Sequence, residues 1–164
     1  MLAATREGGF DHIGCIDHTL QLVINDSLKG DAVVDLLKSA RAIVGHFNRS
    51  PVARHLLDGV QTQLQLPKHQ LMKECTTRWN STYYMLERLL EQRRAITTTL
   101  PETNCSVELT MMQWTLVGHL VELLCPFEEF SREFERADAS LSLVIPAIRL
   151  LNRHVSKPLA GGRK

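Results

Sequence analysis

Apolar side chains recur at intervals of three and four along most of this chain, the spacing that gathers them on one side of a helix. The clearest run is Val33, Leu36, Leu37, Ala40, Val44 and Phe47, with Gly30 placed to close a preceding helix and Asp31 to cap this one. That preceding helix carries Leu20, Val23, Ile24 and Leu28 behind an N-cap acceptor at Asp17. Ser50-Pro51 starts a third, because proline at the first helical position gives up no hydrogen bond. Val52, Leu56, Leu57, Val60 and Leu64 continue it until Pro67 stops it. A longer helix starts near Thr77, with Trp79, Tyr83, Leu86 and Leu90 on one face and Glu87, Arg88, Glu91, Arg93 and Arg94 outside. Thr97 to Pro101 is poor helix material and reads as a loop. Ser106 is placed to cap a helix with Leu109, Met112, Leu116, Leu120 and Leu123, which Pro126 should kink or interrupt. Phe127, Phe130 and Phe134 then share a side, Asp138 to Ser142 turns, and a last helix carries Val144, Ile148 and Leu151.

Less regular stretches complete the picture. Met1 to Gly9 reads as a helical turn or two ended by glycines. His12 to Cys15 and Leu71 to Cys75 read as extended, and the glycine-rich, basic end from Lys157 to Lys164 reads as a disordered tail. The pattern predicts five or six helices and at most two short strands.

Composition narrows the class. The chain has 164 residues, with 44% hydrophobic and 23% charged, ordinary for a globular domain and too apolar for intrinsic disorder. The formal charge is +1, and neither half has the basic excess of a self-sufficient DNA-binding domain. Cys15, Cys75, Cys105 and Cys125 are too widely spaced for a CxxC site and read as reduced thiols. The longest apolar stretch, Leu116 to Leu124, is broken by Gly118, His119 and Glu122, so no membrane span is expected.

Two short blocks could carry chemistry. Cys15 and His18 form a C-x2-H pair whose thiolate and imidazole could serve one zinc ion, but no second pair with finger-like spacing supplies the remaining ligands. The alternatives are a small buried cysteine beside a helix-start histidine, or a histidine next to an active site built from other residues. Arg78-Trp79 opens an amphipathic helix. Its indole could anchor a core, the favoured reading, or stack on an unpaired base while the arginine holds a phosphate. Asp11 and Asp17 could hold magnesium, although a cap role suits Asp17 better. Glu128, Glu129, Glu133 and Glu135 read as a solvated face, and Met111-Met112 as core filling. Glycine-rich phosphate loops, GxSxG, HExxH and EF-hand motifs are all missing from the sequence.

Taken together, Cys15-x-x-His18-Thr-Leu-Gln-Leu-Val and Thr77-Arg-Trp-Asn-Ser-Thr-Tyr83-x-Met85-Leu-Glu-Arg-Leu89 resemble blocks of the hAT-superfamily transposases. They most resemble the domesticated relatives of those enzymes, the zinc-finger BED-domain-containing proteins. Ile43-Val-Gly-His-Phe47, Leu66-Pro67 and Leu141-Ser-x-Val144-x-Pro146 are similar to further elements of the same proteins, so the likeness covers nearly the whole chain.

The resemblance implies a mainly α fold: a partial RNase H-like catalytic-domain segment over residues 1–100 runs into an all-α insertion domain over 101–156, followed by the tail 157–164. It implies that Cys15 and His18 help shape the catalytic pocket and that Arg78 and Trp79 lie near the DNA-facing side. Of the family's two aspartates and one glutamate, the second aspartate is expected before Met1 and the glutamate after Lys164. No enzyme activity, catalytic residue, metal ligand or cofactor is therefore expected here. Zinc in a BED finger and divalent metal at the active site belong to a full-length relative. The expected function is that of a non-catalytic fragment of a nuclear DNA-binding protein, either a transcription regulator or a domesticated transposase. DNA is reached through the full-length parent, and a homodimer through a C-terminal region outside this chain. The alternative is a self-contained helical protein–protein interaction module.

Overall fold

A computed structural model describes residues 16–75, 78–134 and 144–156. The expected N-terminal turns, the His12 to Cys15 strand, the Asp138 to Ser142 turn and the tail lie outside them. The described elements are α1 (Ile16–Ser27), α2 (Asp31–Arg49), α3 (Pro51–Gln63), α4 (Trp79–Glu91), α5 (Arg93–Thr99), a 3-10 turn (Leu100–Glu102), α6 (Met111–Phe134) and α7 (Val144–Val155). The mainly α expectation holds. No strand occurs among the described residues, so an RNase H-like sheet is not seen and Leu71 to Cys75 is irregular chain.

Local chemistry sets both ends of α3. Ser50 caps α3 by accepting the Ala53 N–H on its hydroxyl at 3.2 Å, with Pro51 at the first helical position. The far end of α3 closes two ways. The Leu66 N–H donates to the Gln61 carbonyl (2.9 Å) and the Gln65 N–H to that of Thr62 (3.2 Å), with Gln65 at φ 54°. These are the paired bonds of a Schellman stop, made here without glycine.

Several expected ends move. Asp17 is itself helical within the described α1, so it does not cap that helix. Gly30, not Asp31, is the N-cap of α2. Thr110, not Ser106, caps α6. Its hydroxyl accepts the Gln113 N–H (3.2 Å), while the Gln113 side chain accepts the Thr110 N–H (2.9 Å). This reciprocal box leaves Leu109 buried ahead of the helix. Helix α6 continues through Pro126.

Packing draws on the whole length. One cluster joins Leu36, Leu37, Ala40, Ile43, Val44 and Phe47 of α2, Leu57 of α3 and Leu86 and Leu89 of α4. It also takes in Ile96 of α5 and Trp114, Val117 and Leu120 of α6. The broadest helix contact is α4 on α6, with α3 on α5 and α2 on α6 closing the same interior. This cluster takes side chains from both sides of residue 100. Between α3 and α4, the connector is fastened by side chains. Gln61 and Gln92, both fully buried, bond to each other (3.0 Å) and to the carbonyls of His69 and Pro67.

Candidate functional site

The Arg-Trp block opens α4, and its residues are committed to holding that opening in place. Arg78 is the extended N-cap residue and is exposed. The Ser81 hydroxyl accepts the Cys75 N–H (2.8 Å) and shares its own proton between the carbonyls of Cys75 and Arg78, each at 2.7 Å. Thr82 donates to Glu74 at 2.6 Å, and Glu74 is also gripped by Arg41, whose Nη2 lies 3.0 Å from its Oε1. Burial pushes the Glu74 carboxyl up. The hydrogen bonds from Arg41 and Thr82 outweigh it, so the group stays below the usual carboxylate range.

Trp79 is 1% exposed and packs with Ile24 of α1, Tyr83 of α4 and Leu124 of α6. Its backbone N–H, one of the free donors of a helix start, donates to Gln21 Oε1 at 3.1 Å. Gln21 belongs to the first signature block, and the two residues are 58 apart in sequence. The two blocks therefore fold onto one joint, through Gln21 and Trp79.

The other expected site residues are placed differently. His18 is exposed on α1, and Cys15 lies outside the described residues. With its indole walled in, Trp79 is not presented to a base, so core packing is the reading the structure shows; Arg78 alone of the pair faces solvent. Among the described residues no group of three or more His, Cys, Asp or Glu side chains is arranged to hold a metal ion.

Three contacts had no clear sequence signal. The acidic row on α6 is not uniformly solvated: Glu128 is 5% exposed and accepts the Tyr84 hydroxyl. The Tyr83 hydroxyl donates to Glu87 at 2.8 Å, and burial, then Glu87 and Cys125, raises the pKa of that phenol. Arg93 lies over the Trp114 ring, 5.3 Å from its centroid, while Met112, expected as core filling, is 84% exposed.

Residues 13–123, which span both blocks and the joint, match the family described as the ZBED1 RNase-like helical domain. The chain belongs to that family. Human zinc finger BED domain-containing protein 4 is 36% identical over 151 residues, covering 92% of this chain and 13% of that protein. Human zinc finger BED domain-containing protein 6 is 36% identical over 149 residues, covering 90% and 15%. A putative AC transposase of Zea mays is 32% identical over 91 residues, covering 55% and 11%. No solved structure matches. This ZBED1-type helical chain thus comes from the hAT-derived, BED-type lineage and spans about 13–15% of the length of its human relatives.

Proposed function

We propose that this chain is the helical scaffold of a nuclear DNA-binding protein derived from a hAT transposase and that it does no chemistry itself. The observation that carries this is the joint. The residues most reminiscent of a transposase, Trp79 and the Gln21 block, are spent on packing and capping. Described carboxylates point the same way. Glu74 is engaged by Arg41 and Thr82, Glu91 by His69 and Arg88, and Glu128 by Tyr84, whereas metal-assisted strand cleavage needs carboxylates converging on one ion. In this reading Arg78 and His18, both exposed, border the DNA-facing side. Cys15 helps shape the pocket of the parent protein. Zinc, divalent metal and any homodimer contact belong to the parent outside this segment.

A magnesium-dependent nicking assay on hairpin and transposon-end DNA tests the reading. This chain should leave both substrates intact and retain duplex DNA weakly at physiological salt, while the full-length parent binds DNA and accumulates in the nucleus. Robust metal-dependent cleavage by these 164 residues would sink it. One observation favours the self-contained interaction module instead, the larger core cluster, whose side chains come from both sides of residue 100. A parent that binds DNA equally well after deletion of this segment would favour that module.

A further inference from the structure

Methionine is distributed unevenly between interior and surface. Met85 is 1% exposed and sits in the larger core cluster. Met72 on the connector is 41% exposed, and Met111 and Met112, which open α6, are 71% and 84% exposed. Among the described methionines, Met111 alone has a cation aligned on its sulfur: Arg93 Nη2 donates to its Sδ at 3.1 Å. Arg93 is the first residue of α5 and is half-buried. Its guanidinium also lies over the ring of Trp114, about one turn further along α6. Trp114 is 3% exposed and belongs to the same core cluster as Met85. An ordered guanidinium, a solvent-open sulfur and a core tryptophan therefore meet where α5 and α6 begin.

We propose that Met111 is a reversible oxidation site whose sulfoxide is held by Arg93. A thioether is a weak acceptor facing a strong, charged donor, so the pair is mismatched while the sulfur is reduced. Oxidation makes the sulfur group polar and gives it an oxygen that can accept the guanidinium proton. The oxidant is hydrogen peroxide. A lone pair on Sδ attacks one peroxide oxygen, and the S–O bond forms as the O–O bond breaks. The departing oxygen takes the proton from the transferred one and leaves as water. Sulfur loses two electrons and the peroxide gains them. A sulfoxide reductase with two thiols reverses the change, releasing the oxygen as water and leaving a disulfide. Oxidation damages a protein where the methionine fills a core. Met111 fills none, so its sulfoxide adds a contact without emptying one. The planar guanidinium is already ordered on Trp114, so little freedom is lost when the new bond forms. The site is separate from the Gln21–Trp79 joint and does not depend on the DNA-binding reading.

The test uses the full chain carrying Met72→Leu and Met112→Leu, which leaves Met111 as the exposed methionine among the described residues. Peroxide treatment followed by peptide mass mapping should add one oxygen at Met111 and none at Met85. The oxidised protein should melt about 2 °C above its reduced form, the shift expected of one modest added hydrogen bond in a domain of this size. In NMR spectra the Arg93 Nε–H and the Trp114 indole N–H should move on oxidation and return after treatment with sulfoxide reductase and dithiothreitol. With Arg93→Leu added, Met111 should still take up oxygen but the gain in melting temperature should vanish. A chain that keeps Met112 and carries Met111→Leu should likewise show no gain. An unchanged or lower melting temperature on oxidation would overturn the proposal. So would an equal gain with Arg93→Leu or Met111→Leu, or a Met111 that stays reduced while Met112 of the native chain reacts.

Discussion

A tryptophan buried at the first turn of a helix fixes where that helix begins. At Trp79 the ring supplies most of the energy and the Gln21 contact supplies direction. Trp79→Ala should cost about 3–5 kcal/mol, the range for emptying a large core site. Gln21→Ala should cost about 1 kcal/mol, the net worth of one hydrogen bond. Urea titration of both variants checks the ratio; similar losses would mean that the cap, not the ring, carries the joint. A second residue prediction follows from Gln65, held at φ 54° in the Schellman stop. Relief of the left-handed strain, about 1–2 kcal/mol, exceeds the added freedom of glycine in the unfolded chain. Gln65→Gly should therefore raise the melting temperature. Sequence showed Trp79 as an anchor because its size and stripe position favour burial. Gln21 was hidden, since a glutamine beside an apolar stripe reads as solvated until a distant helix start needs an acceptor.

Periodicity located the long helices because their apolar stripes face one continuous interior. It failed at α5. Three consecutive threonines, Thr97 to Thr99, argue for a loop on propensity, yet each hydroxyl bonds back to a carbonyl of the preceding turn (Arg93, Arg94 and Ala95) at 2.8–2.9 Å. Burial of Ala95, Ile96, Thr99 and Leu100 then outweighs propensity differences of a few tenths of a kcal/mol each. Two substitutions separate these terms. Ile96→Ala should destabilise by about 2–5 kcal/mol. Exposed Thr98→Ala should be neutral or stabilising by about 0.5 kcal/mol. A large loss at Thr98 would mean that the back-bonds, rather than packing, hold α5. The cap of α6 is selected by its partner rather than by the capping residue. Serine is the better acceptor in isolation, but only Thr110 is followed three residues on by a glutamine, Gln113, that closes the reciprocal box.

At the scale of the molecule, charge pairs set the pH range. Glu74 and Glu91 both stay below the ordinary value of 4.5 despite partial burial, Glu74 through Arg41 and Thr82, Glu91 through His69, Gln92 and Arg88. A depressed folded pKa adds stability above the unfolded value, and that stability drains away as pH falls through the folded one. Tyr83 has the opposite sign. Raised from 10.0, it favours the fold below the unfolded value and withdraws that support as pH climbs. The melting temperature should be flat near neutrality, fall below about pH 4.5 and fall again above about pH 10. Glu74→Gln should soften the acid limb alone. Hydrogen exchange should show Ile43, Phe47, Leu89 and Val117 protected as one cooperative unit, since all belong to one cluster.

That cluster also has a consequence for the moment of birth. The α2 stripe emerges from the ribosome well before α6, which shares its core cluster. At about 5–20 residues per second the wait between them is several seconds. Until Trp114, Val117 and Leu120 arrive, the cluster that holds Leu36 and Val44 is incomplete. Nascent chains arrested before Met111 should remain open to protease within α2 and α3, and chains arrested long enough to expose all of α6 should abruptly resist it.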